Sequence, residues 1–235
     1  MTSLIKETLA EWTEGLDTRQ SMISVFTHIR DIPYSVSSVP MSNPLTSAEQ
    51  LLKAGKGSCG PKHYLLSEMF RKLNLNVVYA TIAFSWNDPD LHYPSDLRKL
   101  AARLPLAYHL ACRVQIGCRW VLVDATWDPP LVRGGFLING PWDGYSELKW
   151  AVKPFMSTEQ PVTCLPIYNE TCRVKDLAEP IEGEKDHWNA DDHVRYYDKK
   201  GTLSSPEQVM WKVQFYKKFE DWLVDLRKMQ NQISD

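Results

Sequence analysis

Residues 55–74 read GKGSCGPKHYLLSEMFRKLN, a cysteine set among three glycines and a proline and followed at once by an amphipathic run. Leu65, Leu66, Met69, Phe70 and Leu73 recur at spacings of three and four, which predicts a helix that ends near Asn74 and buries its apolar face. Cys59 therefore stands where that helix begins. Amides without a helical partner and the helix dipole favour negative charge at such a position, so a thiol there is suited to act as a nucleophile. The plainer alternative is a small residue in a tight turn, the usual role of a lone cysteine in a glycine-rich segment. The choice turns on whether the rest of the chain can bring a base and an acid to the sulfur.

Upstream, Asp17 and Gln20 form a capping-box pattern, and Met22, Ile23, Phe26 and Ile29 keep helical spacing until Ile32-Pro33 stops the run. A shorter helix is expected from Leu4 to Trp12. Residues 33–46 are rich in serine, proline and asparagine and read as loop; Thr46 to Leu52 reads as one or two helical turns. Downstream, NVVYATIAFSW (76–86) is β-branched and aromatic, a strand, and residues 87–103 read as a long polar loop.

AYHLACRVQI (107–116) and RWVLVDAT (119–126) are strand-like runs separated by Gly117-Cys118, a pair suited to a type II′ hairpin. Pairing Ile116 with Arg119 sets the register. One face then carries Tyr108, Leu110, Cys112, Val114 and Ile116 opposite Val121, Val123 and Ala125. The other carries His109, Ala111, Arg113 and Gln115 opposite Trp120, Leu122, Asp124 and Thr126. In this register His109 faces Thr126, and Asp124 is its diagonal neighbour at roughly 7 Å between backbones. Residues 129–168 suggest further antiparallel sheet, and residues 179–200 a polar surface loop. Ser205, Pro206 and Gln208 mark the start of a long C-terminal helix, whose apolar stripe is traced by Val209, Val213, Tyr216, Leu223 and Leu226.

The 235 residues are 43% hydrophobic and 24% charged, as expected of one folded domain, and the net charge of −2 provides no global field for nucleic acid or anionic membrane. The N-terminal stretch has no uninterrupted apolar core, and no later run is long enough to span a bilayer. A cytoplasmic location is expected. Five cysteines without a C-x-x-C pair argue for reduced thiols, with Cys112 in packing and Cys118 in a turn. The nine tryptophans serve burial in the main, with some available to line a groove.

Cys59, His109 and Asp124 supply a thiol, an imidazole to move its proton, and a carboxylate to orient the imidazole. The amide of Cys59 is itself a donor for a developing oxyanion, and Gly57 and Gly60 would let substrate approach the backbone closely. His63, four residues after Cys59, is a competing base without an evident acid partner. His187, Asp191, Asp192 and His193 could ligate a metal, but with no H-x-x-x-H helix or cysteine beside them a solvated loop is the better reading, and no metal is expected. KAGKGS (53–58) lacks the first glycine of a phosphate loop and is not read as a nucleotide site.

AGKGSCGPKHYLLSEMFRKLNLNVVYATI (54–82) and YHLACRVQIGCRWVLVDATWDPP (108–130) together resemble the transglutaminase-like superfamily: a G-x-C helix start, a His-bearing strand and a D-x-T-W ending. The resemblance covers roughly residues 45–130. It departs from the pattern of many relatives at Ala111, where they carry tryptophan, and at Asn74, where they carry glycine. It implies Cys59 as nucleophile, His109 as general base and Asp124 as orienting acid, with Thr126 and Trp127 completing the last motif. Relatives draw a second oxyanion donor from upstream of the cysteine, for which Gln50 and Asn43 are the amides available. The expected architecture is α+β with a papain-like, transglutaminase-like core: N-terminal helices packed on an antiparallel sheet, and a long C-terminal helix. Residues 1–178 would form the catalytic domain, with 179–235 a polar loop and helical appendage packed on it. The expected activity is hydrolysis of an amide in a peptide or protein substrate through an acyl-thioester, without a cofactor. Transfer of the acyl group from glutamine to an amine, or a catalytically silent binding module of the same fold, are the alternatives.

Overall fold

The computed structural model of the chain describes residues 4–36, 43–155, 185–187 and 206–231. Helices α1 (Leu4–Trp12) and α2 (Thr18–Asp31) open the fold. At the start of α2 the Gln20 amide donates to Asp17 Oδ1 at 2.8 Å and the Asp17 amide donates to Gln20 Oε1 at 3.1 Å, the reciprocal box expected there. Helix α3 (Pro44–Ala54) is longer than the one or two turns expected, because two residues read as loop formers are helix-start residues. Asn43 caps the Thr46 amide and Pro44 occupies the first turn, where its missing N–H costs nothing. Gly55, left-handed at φ 63°, ends it. Helix α4 (Cys59–Lys72) begins on the cysteine, as its periodicity predicts.

Strands β1 (Val77–Phe84), β2 (Ala107–Ile116), β3 (Arg119–Val123) and β4 (Lys185–His187) form an antiparallel sheet in the order β3-β2-β1-β4. The β2–β3 turn has the expected form: Gly117 alone is at positive φ, 59°, and Ile116 pairs with Arg119. The ladder ends at Cys112 with Val123, so the expected opposition of His109 and Thr126 is not formed. The chain leaves the sheet at Asp124.

Two further expectations are corrected. The polar stretch 87–103 contains helix α5 (Ser95–Ala101), which buries Leu97 and Ala101. Residues 129–155 hold no strand of the sheet. They form a 3₁₀ turn (Pro129–Gly134) and an irregular segment that meets the sheet at a bridge of Phe84 with Pro154 and at a bond from the Leu148 amide to Leu122 O of 3.0 Å. Prolines at 129, 130, 141 and 154 remove ladder donors, and the apolar residues between them pack as loop. Residues 156–168 of that expectation lie outside the described residues, as do Ser205 and residues 179–184 and 188–200 of the expected polar loop, whose described residues, Lys185–His187, form β4 instead.

Helix α6 (Pro206–Asn231) is the expected C-terminal helix. Its buried stripe runs through Phe215, Phe219, Leu223 and Leu226, while Val209 and Val213 are exposed, so the stripe begins later and on larger rings than expected. Two clusters result. Aliphatic side chains of α1–α4 pack on one face of the sheet against Leu110, Cys112, Val114, Val121 and Val123. An aromatic cluster gathers Tyr34, Phe84, Trp86, Tyr93, Trp127 and Phe136 with the stripe of α6. Cys59 and Cys112 are free, but Cys118 is disulfide-bonded, which corrects the expectation of wholly reduced thiols. No helix among the described residues is long and apolar enough to cross a membrane.

Candidate active site

Cys59 is the first helical residue of α4. Ser58 is extended and makes no side-chain cap, and the first helical bond runs from the Lys62 amide to Ser58 O at 3.2 Å. The amides of Cys59 and Gly60 therefore have no partner within the helix. The segment before the cysteine is held by a parallel bridge: Gly57 N–H donates to Pro33 O and Ser35 N–H to Gly57 O, each at 3.1 Å. A Cβ on Gly57 would lie 2.5 Å from Leu51 Cδ1, so this glycine answers to packing rather than to close approach by a substrate. Cys59 itself is half-buried and touches both clusters.

His109, near the start of β2, and Asp124, just past β3, are both 1% exposed and joined by a hydrogen bond from Nε2 to Oδ2 of 2.7 Å. Early departure of β3 from the ladder swings the carboxylate onto the imidazole. Asp124 is fully satisfied: Oδ2 also accepts from the Ala151 amide at 2.8 Å, and Oδ1 accepts from the Thr126 hydroxyl at 2.6 Å and amide at 3.2 Å. The Cys59 thiol is a hydrogen-bond partner of the same imidazole, whose Nδ1 is the nitrogen that Asp124 leaves free. Burial alone would lower the pKa of His109, but the charge and hydrogen bond of Asp124, helped by Cys59, raise it well above the usual imidazole range. Burial would likewise raise that of Asp124, but His109, His63 and the Thr126 hydroxyl hold it below the usual carboxylate range. The resting pair is therefore imidazolium and carboxylate. The rings of Phe84 and Trp150 cross that of His109 edge-on at 6.3 and 6.0 Å.

His63 is committed elsewhere. Its Nε2 accepts from the Ala125 amide at 3.0 Å, which leaves Nδ1 to donate to Cys59 O at 2.8 Å. Burial lowers its pKa to about 4, so it is a neutral brace between α4 and the end of β3. Asn43 is used by the α3 cap and Gln50 is exposed on α3; no described contact brings either amide to the sulfur.

Several residues that support the site went unread in the sequence. Lys62, fully buried, donates from Nζ to the carbonyls of Arg30, Ile32 and Thr126 at 3.0, 2.8 and 2.7 Å, three acceptors for the three protons of an ammonium. Burial lowers its pKa to about 7 against the pull of Asp128 and Asp124. Asn139 Nδ2 donates to Asp124 O at 3.0 Å. Asp128 accepts from the Tyr34 amide and, in a fork, from Arg227 of α6, each bond 2.8 Å. A lysine on the inner face of an amphipathic helix was the one visible signal. Nothing in the local pattern around Asp128 names its partner 99 residues away.

Beside the dyad opens a cavity of about 660 Å³, walled by Phe84, Trp86, Trp127, Phe136 and Trp150 and floored by Leu122. No group of three or more metal-ligating side chains occurs among the described residues. Of the sequence cluster at 187–193, the backbone of His187 lies in β4; Asp191, Asp192 and His193 lie outside the described residues.

No family model matches the chain, and no curated protein does. Among solved structures, a candidate cysteine protease from Cytophaga hutchinsonii is similar, with 19% identity and a TM-score of 0.38 over 55% of this chain. The match spans 39% of that protein's chain. A likeness so distant carries no weight for the chemistry, which rests on the arrangement of Cys59, His109 and Asp124.

Proposed function

We propose that the chain is a cysteine-dependent hydrolase of amide or peptide bonds, built on a transglutaminase-like, papain-like core. The observation that carries this reading is the unbroken line of contacts from a half-buried thiol at a helix start, through a buried imidazole, to a carboxylate with every acceptor satisfied. Cys59 as thiolate attacks the carbonyl carbon, forming a C–S bond as the carbonyl electrons move to oxygen, toward the Cys59 amide. Collapse breaks the C–N bond while the His109 imidazolium gives its proton to the leaving nitrogen. His109 then takes a proton from water as the water oxygen attacks the thioester carbon, and C–S cleavage returns the thiolate. Asp124 keeps Nε2 occupied so that Nδ1 faces the sulfur. In this reading residues 1–178 carry the chemistry and the 179–235 segment supplies α6, whose rings pack in the aromatic cluster that Cys59 touches.

Iodoacetamide labelling near neutral pH with peptide mapping tests the reading. Cys59 should react at least about tenfold faster than the buried Cys112, and lose that advantage in His109→Ala. Release of amine from a peptide amide should fall by about a thousandfold or more in Cys59→Ser. Slow labelling of Cys59 that His109→Ala leaves unchanged would mean a silent binding module.

A further inference from the structure

The cavity beside His109 is not used by the steps above, and its walls are chemically selective. Five of its lining residues are aromatic, Phe84, Trp86, Trp127, Phe136 and Trp150, and Leu91 and Leu122 fill the gaps between them. Its volume of about 660 Å³ falls within the range of small-molecule sites. Two walls are shared with the proposed catalytic dyad: Phe84 and Trp150 cross the His109 ring, and Ala151 donates to Asp124. Trp86 is 5% exposed, and its indole N–H is turned to the Tyr216 phenol on α6, outside the cavity lining, so its ring is held as a wall. The charged lining residues are Lys153, which bridges Asp88 and Asp90, together with Glu147 and Lys149.

Resting on the hydrolase reading, we infer that this cavity selects the substrate: it takes a flat aromatic group, attached to the amide that Cys59 attacks, with the rings of Trp86, Trp127 and Trp150 around it. An aromatic side chain of a peptide and a free aromatic acid amide present the same chemistry.

Two measurements separate this inference from the reading beneath it. The first needs no catalysis. Prodan, a naphthalene ketone, should bind Cys59→Ala protein saturably at one site. Leu137→Trp and Val152→Trp, placed at an exposed and a half-buried lining position, should each weaken that binding at least tenfold. The second is ammonia release from glycinamide acylated with acetyl or with 2-naphthoyl: kcat/KM should favour naphthoyl by about 100-fold, and the two lining variants should erase the preference. A dipeptide amide with phenylalanine in place of the naphthoyl group distinguishes a peptide side chain from a free aromatic acid. No saturable prodan binding, or binding that neither lining variant touches, overturns the cavity assignment. Hydrolysis without preference for the aromatic substrate overturns its role in selection. Prodan binding without hydrolysis of any amide leaves the site standing and removes the enzymatic reading instead.

Discussion

The two faces of the sheet are built on different terms. On one, α1–α4 lay aliphatic residues such as Ile5, Leu51, Leu65 and Leu66 against β2 and β3, all within the first half of the chain and all fully buried. On the other, an aromatic cluster joins Phe84 of β1, the segments around the 3₁₀ turn and the rings of α6, with a cavity walled by Phe84, Trp86, Trp127, Phe136 and Trp150, and the segments are tied by an ionic fork, with Arg227 reaching Tyr34 O, 193 residues away, at 2.9 Å. Cys59 belongs to both clusters. Close aliphatic packing fixes the helix that presents the sulfur, whereas the aromatic side shapes what can approach it. One face supplies rigidity; the other, on the proposal above, selectivity.

The largest test sets the two faces against each other. Asp128→Ala leaves the Tyr34 amide and the Arg227 fork without their acceptor and should cost about 3–5 kcal/mol. Leu65→Ala, in the aliphatic core, should cost a comparable 2–5 kcal/mol, roughly the range for a leucine replaced by a cavity. Urea midpoints should therefore fall in both. Only Asp128→Ala frees the Tyr34 segment that bridges to Gly57 ahead of Cys59, so only that variant should slow iodoacetamide at this thiol. Equal effects of the two variants on labelling would erase the division.

The same division explains what could be read in the sequence. The hairpin register, α4 and the capping box of α2 are set by spacing and turn chemistry within a dozen residues, and each is found as expected. His109 and Asp124 meet for a reason that register foreshadows, although β3 leaves the ladder before the predicted His109–Thr126 pair can form. Residues 129–155 defeat the same logic: their apolar pieces look like strands, but prolines deny them a ladder and the aromatic cluster gives them another place to bury. Lys62, Asn139 and the Asp128–Arg227 fork depend on contacts between distant segments, which no local pattern encodes.

Acidity gives a second test, smaller and opposite in sign for the histidines of the two faces. His63 is neutral in the fold, with a pKa lowered to about 4, whereas an unfolded histidine titrates near 6.5. The unfolded chain alone takes up the proton between these values, so stability should fall as pH drops through that window, by roughly 3 kcal/mol in full. His63→Gln should flatten that limb. His109 has a raised pKa, so its contribution is complete below about 6.5 and is lost as pH climbs toward its folded value. Lys62, lowered to about 7, acts the other way over the same alkaline range, its burial cost easing as the unfolded lysine also loses its proton. The informative quantity is therefore the difference between wild type and His109→Gln, which should shrink from about pH 6 to pH 9. A difference that stays constant would mean the imidazolium–carboxylate pair is not formed.

The smallest effect belongs wholly to the aliphatic face. Helix α4 ends with Asn74 left-handed at φ 62°, its amide bonded to Arg71 O at 3.0 Å and that of Leu75 to Phe70 O at 3.1 Å, the paired bonds of a Schellman motif. Asparagine tolerates this conformation because its short polar side chain can bond locally; a β-branched residue cannot. Asn74→Val should therefore cost roughly 1–2 kcal/mol, and Asn74→Gly should be neutral or gain up to about 1 kcal/mol. Because this turn lies at the far end of α4 from Cys59, both variants should shift the urea midpoint without changing the labelling rate of the thiol. A change in labelling here would mean that α4 passes strain along its whole length to the sulfur, and the aliphatic face would then have a part in the chemistry beyond holding the helix still.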